Sequence, residues 1–207
     1  MAGSTSRVLI VSGPSGSGKS TLVQNLRGLP GLVFSISSTT RPRRLTESPG
    51  KCYDFITEAE FNRRIESGDF LEYAQVFGRH WYGTPRKQVD DARRKGLDLV
   101  LEIDVQGMQQ VKKKLPEAIA VFIVPPSRED LERRLRSRGQ DSDEAITRRL
   151  ERARQEIASS AEYDFVVVNE DLERASDELR AIAVASRCRR RDNDERLCKI
   201  LESFGGS

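Results

Sequence analysis

The sequence predicts an α/β protein with a five-stranded parallel sheet flanked by helices, and three observations predict it. Apolar runs recur at residues 8–12, 33–37, 97–103, 119–124 and 165–168. The segments between them carry apolar residues at helical spacing, the alternation of a parallel sheet whose crossovers are helices. Glycines cluster just past the first run, where a strand feeding a helix must turn tightly. With 207 residues the chain is long enough for one substantial core carrying inserted segments.

The first run leads into Gly13-Pro14-Ser15-Gly16-Ser17-Gly18-Lys19-Ser20 and then Thr21, a Walker A pattern in its strand-to-helix setting. Gly13, Gly16 and Gly18 let the backbone aim successive N–H groups at a polyphosphate, where an ordinary Cβ would obstruct. Lys19 reaches the β- and γ-phosphates as a point charge, and Ser20 offers its hydroxyl to a Mg²⁺ ion bridging them. The helix continuing through residues 21–26 adds the positive end of its dipole. Glu102 ends the third run, where P-loop enzymes place an acid that helps hold the magnesium shell. Asp104, two residues on, is a second candidate for that work.

Residues 38–96 break the alternation. Pro42, Pro49 and Gly50 mark a loop, and 51–56 reads as a short strand. Thr57 with Glu60 forms a capping box for a helix to about residue 67, and 70–77 and 80–82 read as further strands. Residues 106–115 form a short helix. Ser127 and Asp130 cap a helix over 128–138, with Leu131 and Leu135 four apart. A polar stretch at 137–143 precedes a charged helix over 144–158 with arginines at 148, 149, 152 and 154. Most of such a charge run is a solvated face, and one or two of these arginines suit catalysis from a mobile lid. A last helix covers 172–187, and a basic extension carries an amphipathic set at Leu197, Ile200 and Leu201. The chain thus reads as one unit: a core of 7–37, 97–136 and 159–187, a mixed α/β insertion at 38–96, a lid at 137–158 and an extension at 188–207.

Composition narrows the class. Basic and acidic residues number 35 and 32, a net charge of +3, which does not call for a nucleic-acid partner. Cys52, Cys188 and Cys198 form an odd set without C-x-x-C spacing, which argues against a disulfide framework or zinc site and suits a reducing cytoplasm. The first residues lack the apolar region of a signal peptide, and no run approaches a membrane span. A soluble protein with small-molecule partners is expected, without nucleic acid or membrane, and either a monomer or a homo-oligomer.

A Walker A loop says that a nucleoside triphosphate binds and leaves motor, switch, transporter and kinase open. Ser37-Ser38-Thr39-Thr40-Arg41-Pro42-Arg43-Arg44 follows the second run, at the edge where open α/β sheets bind ligands. Its arginines and hydroxyls suit a second phosphate, because guanidinium forks pair two oxygens at once. A solvated basic loop is the alternative. With Tyr53, Phe70-Leu71-Glu72-Tyr73-Ala74, Tyr82-Gly83-Thr84, Leu101-Glu102-Ile103-Asp104-Val105-Gln106-Gly107 and Val124-Pro125-Pro126-Ser127, this loop resembles the guanylate kinase family, in order from about residue 7 to 179.

The resemblance implies a P-loop fold and Mg²⁺-dependent transfer of the ATP γ-phosphoryl group to GMP or dGMP, giving ADP and GDP or dGDP, in purine nucleotide metabolism and GMP recycling. It implies that Arg41 and Arg44 hold the acceptor phosphate, with Ser37 and Tyr53 on it or beside it. Tyr82, Gly83 and Thr84 then make adjacent base and phosphate contacts, and Glu72 and Asp104 read guanine. Guanine offers its N1–H and 2-amino group to carboxylates. Adenine lacks both on that edge and leaves the pair unsatisfied. Arg134, Arg138 and Arg149 match arginines that stabilise the phosphoryl group in flight, and Asn169 matches a contact to the ATP adenine. The implied catalytic set is Lys19, Arg41, Arg138 and Arg149.

This loop departs from the family's usual pattern, with proline at 42, arginine at 43 and Thr46 in place of glycine. Arg43 therefore competes with Arg44 for the phosphate. His80 and Trp81 read as packing or surface residues. Two rivals make different demands. A scaffold domain of the same build would carry a degraded phosphate loop, and a sugar-phosphate kinase would not need the acidic pair.

Overall fold

The computed structural model describes residues 6–43, 47, 53–76, 79–137, 139 and 142–205. In chain order the strands are β1 (Val8–Ser12), β2 (Leu32–Phe34), β3 (Ser37–Thr39), β4 (Tyr53–Phe55), β5 (Phe70–Val76), β6 (His80–Pro85), β7 (Asp98–Glu102), β8 (Ile119–Val124) and β9 (Phe165–Val168). The helices are α1 (Lys19–Asn25), α2 (Glu58–Glu66), α3 (Lys87–Lys95), α4 (Val105–Lys114), α5 (Arg128–Arg136), α6 (Asp143–Ala158), α7 (Leu172–Ser186) and α8 (Asp194–Ser203).

The parallel sheet has the order β2-β7-β1-β8-β9. Its apolar runs are continuous because both faces are covered. From β1, Leu9 and Val11 join Leu22 and Leu26 near α1 and Leu179 of α7, while Val8 and Ile10 join Val89 of α3 and Met108 and Val111 of α4. A third, smaller core ties Leu131 and Leu135 of α5 to Ile146, Leu150 and Ala153 of α6. Ser127 caps α5 and Thr57 caps α2 through their side-chain oxygens, one half of each expected capping box; Glu60 pairs instead with Arg63 and Arg64, and Asp130 with Arg133 and the Ser127 hydroxyl.

A second, mixed sheet has the order β4-β3-β6-β5, with β3 and β4 parallel and the other pairs antiparallel. Phe61 of α2 stacks on Phe70, with ring centroids 4.5 Å apart, and on Trp81 at 5.9 Å. These rings form the floor of the inserted segment.

Several boundaries differ from the sequence reading. The apolar run at 33–37 does not stay in one sheet: β2 ends at Phe34, and Ser37 opens β3 of the other sheet. The cause is Gln88 of α3. Its amide accepts from Ile36 N–H at 2.9 Å and donates to Ile36 C=O at 2.7 Å, so Ile36 leaves the first sheet with both backbone groups satisfied. Helix α3 is an addition, and it packs Val89 and Ala92 on the parallel sheet. The amphipathic set at 197–201 lies on α8, whose larger apolar side chains stay exposed.

Candidate active site

The site forms at the carboxyl ends of β1 and β7. The phosphate loop turns on Gly13, Gly16 and Gly18, with φ of 142°, 95° and 93°. All three also meet neighbours: a Cβ on Gly13 would lie 2.1 Å from Ile123 O, one on Gly16 2.9 Å from Leu131 Cδ1, and one on Gly18 2.2 Å from Asn169 Nδ2. Ser17 N–H donates back to Pro14 C=O, closing the loop. The Lys19 ammonium rests on its carbonyls, donating to Gly13 O at 2.6 Å and Pro14 O at 3.0 Å. Ser20 Oγ donates to Glu102 Oε1 at 2.6 Å. Hydroxyl and carboxylate thus sit together as a hard oxygen donor pair beside the loop. That pair fits Mg²⁺, which takes one or two protein oxygens with substrate phosphates and water.

Behind the loop, Asn169 and Arg134 brace it. Asn169 Nδ2 donates to Ser17 O at 2.8 Å, and Arg134 Nη2 donates to Asn169 O at 2.7 Å. Asn169 is buried, its amide nitrogen turned to the loop backbone. Pro14 is buried, whereas Ser15 and Thr21 are exposed.

A cavity of about 290 Å³ runs from the loop to the second sheet. Gly13, Ser15, Lys19 and Glu102 line one end. Ser37, Tyr53, Glu72, Tyr82 and Asp104 line the other, and Arg149, Arg152 and Glu156 face it from α6. Arg41, Thr84, Gly83, Arg134 and Asn169 do not line it. Arg44 and Arg138 lie outside the described residues.

Glu72 is 3% exposed, and Thr84, itself fully buried, donates its hydroxyl to Glu72 Oε1 at 2.6 Å. Since that proton is committed, Ser37 Oγ is the donor in its 3.4 Å contact with Thr84 Oγ1. Burial pushes the Glu72 carboxyl up to about 7; the Thr84 bond opposes this and the Asp104 charge adds to it. Gly83 sits in β6 between Ser38 and Tyr73, against the Phe70 ring. Asp104 caps α4, its Oδ1 accepting from Gly107 N–H at 2.9 Å. Among the described residues its Oδ2 is buried and has no hydrogen bond.

Arg41 is held in an unexpected way. Its Nη1 and Nη2 fork grips Glu47 at 2.9 and 2.8 Å, Nε donates to Tyr82 OH at 3.1 Å, and Nη1 also donates to Pro42 C=O at 2.8 Å. The guanidinium lies over the Tyr53 and Phe55 rings at 5.4 and 5.6 Å. The Glu47 bond holds Arg41 above its ordinary pKa, and burial pushes the Tyr53 hydroxyl up to about 12. Glu47 was not singled out in the sequence, nor were Arg152 and Glu156 as cavity residues. The signal for the last two was spacing, since 149, 152 and 156 fall on one helix face.

A phosphate loop with its oxygen pair at one end of a cavity and two adjoining carboxylates at the other describes a two-ligand site, and comparison with known proteins agrees. A family model described as guanylate kinase matches residues 5–186. Guanylate kinase of Myxococcus xanthus is 50% identical over 201 residues, covering 96% of this chain and 95% of that one. The Symbiobacterium thermophilum guanylate kinase is 45% identical over 199 residues, covering 96% and 94%. The crystal structure of guanylate kinase from Anaplasma phagocytophilum matches with a TM-score of 0.79 at 35% identity, over 98% of this chain and 97% of that one. Motifs, fold and relatives converge along nearly the whole length: the chain belongs to the guanylate kinase family.

Proposed function

We propose that the chain transfers the γ-phosphoryl group of ATP to GMP, giving ADP and GDP, and acts likewise on dGMP, since no residue identified reads the ribose 2′-hydroxyl. The observation that carries this reading is the single cavity joining Lys19 to Glu72 and Asp104. ATP phosphates lie along the loop N–H groups, and Lys19 exchanges its carbonyl partners for the β- and γ-phosphates. Ser20 and Glu102 would hold Mg²⁺, which would supply charge neutralisation on those phosphates. The guanine edge donates to Glu72 and Asp104, while Ser37, Tyr53 and Tyr82 frame the acceptor beside Arg41. Arg44 and Arg138, by their place in the sequence, join the acceptor phosphate and the phosphoryl group in flight, and Arg149 reaches the latter from α6.

The attacking atom is already an anionic phosphate oxygen, so no covalent intermediate is needed. Catalysis is positioning and charge neutralisation in a site that excludes water, with closure of 38–96 and 137–158 over the substrates. Arg134 and Asn169 support the loop backbone on the ATP side. Among the described residues no helix is long and apolar enough to cross a membrane, and cytoplasmic work suits the free Cys188 and Cys198. A coupled assay of ADP release with GMP, dGMP, AMP, CMP and UMP tests the reading. Turnover with GMP and dGMP alone is expected. Equal turnover with AMP overturns the role of Glu72 and Asp104.

A further inference from the structure

Helix α6 presents Arg149, Arg152 and Glu156 to the cavity from one face. Arg152 Nε donates to Glu156 Oε1 at 2.8 Å, which fixes the guanidinium beside the cavity. Its Nη2 lies 3.7 Å from Asp104 Oδ2, near enough for an ion pair and too far for a hydrogen bond. Asp104 Oδ1 is occupied by its capping bond, so Oδ2 is the oxygen available to a base. The oxygen that would read the acceptor base is therefore the one that a flap residue faces.

We propose that Arg152 is a positioning residue that couples seating of the acceptor base to the placement of Arg149 over the phosphates. Oδ2 has two lone pairs: one accepts from the base, and the other draws Arg152 into hydrogen-bond contact. Base, Asp104 and α6 then become one linked unit. Arg149 lies one turn before Arg152 on the same helix and is carried into place with it. A purine monophosphate without donors on that edge leaves Oδ2 unengaged and gives α6 no added hold. The inference rests on the acceptor reading above.

Hydrogen exchange along α6 with GMP alone, without ATP, tests it. In the wild type GMP is expected to slow exchange across residues 149–156 several-fold. In Arg152→Met, GMP still binds by calorimetry but leaves α6 exchange unchanged, and kcat falls about tenfold with a smaller change in KM for GMP, within the usual range of coupling between sites. Arg152→Lys restores part of both effects and guards against a folding defect in the first variant. In an Asp104→Asn background, Arg152→Met adds no further loss, because the route runs through that carboxylate. Equal slowing of α6 exchange in Arg152→Met overturns the inference, as does a loss that adds in full to that of Asp104→Asn. A wild type that hydrolyses ATP but binds no GMP overturns the acceptor reading itself.

Discussion

Replacing Gly107 by alanine separates acceptor recognition from folding. Gly107 is buried in the first turn of α4, where a Cβ would lie 2.6 Å from Glu72 Oε2 and 3.1 Å from Glu72 Cδ. That is about an ångström short of ordinary contact. Glu72 has little room to move at 3% exposure, and its other oxygen is tied to Thr84 at 2.6 Å. The carboxylate must therefore turn within the base site, or α4 must shift together with its cap, Asp104. Either change misplaces a charged acceptor for guanine, a loss of about 1.5–3 kcal/mol, which lowers kcat/KM for GMP roughly ten- to hundredfold. Stability falls by no more than about 2 kcal/mol, because alanine gains about 1 kcal/mol in a helix against overpacking of about 1–3 kcal/mol. Coupled ADP release against GMP concentration, with a melting curve of the same protein, checks this. A KM and kcat for GMP within twofold of wild type would show that Glu72 does not read the base from this position.

Other outcomes follow from the same geometry. Lys19→Ala abolishes measurable turnover while calorimetry still finds GMP binding; near-normal turnover would refute the donor site. The Glu72 carboxyl, raised from its ordinary 4.5 to about 7 by burial, must be ionised to accept from guanine, so kcat/KM for GMP falls as pH drops through about 7. Because the folded pKa exceeds the unfolded one, the buried charge destabilises the fold above pH 7 and not below 4.5. Glu72→Gln accordingly raises the melting temperature at pH 8, by up to about 3 kcal/mol of stability, and leaves it unchanged near pH 4; a lower melting temperature at pH 8 refutes this. Asn169→Ala strips a buried bond from the Ser17 carbonyl and costs about 1–3 kcal/mol, read as a melting temperature lower by roughly 2–4 °C per kcal/mol. Chelating divalent metal with EDTA stops phosphoryl transfer, and excess Mg²⁺ restores it.

Much of this site was legible because its parts are local in sequence. The phosphate loop needs only a strand, three glycines and a helix in order, and the N-caps at Thr57 and Ser127 are read from four consecutive residues each. What escaped depends on partners distant in the chain or masked by their class. Ile36 leaves the first sheet because Gln88, 52 residues away, takes both its backbone groups. Helix α3 shows only Val89 and Ala92 as buried positions among lysines and arginines, too thin a stripe to stand out. Arg152 and Glu156 lay in a charge run whose ordinary meaning is a solvated face. Only the neighbouring Asp104, on another element, gives them a different one.

The grip of Glu47 on Arg41 bears on the company this protein keeps in a crowded solution. Free phosphate and sulfate are abundant small anions, and a bare arginine fork would attract them indiscriminately. Here an incoming anion must first evict a carboxylate that already makes two charge-assisted bonds. A lone oxyanion gains nothing elsewhere to offset that eviction, whereas a nucleotide also brings a base to the acidic pair. If Arg41 holds the acceptor phosphate as proposed, the seat yields to a molecule that presents both ends together and stays shut to one that presents a phosphate alone.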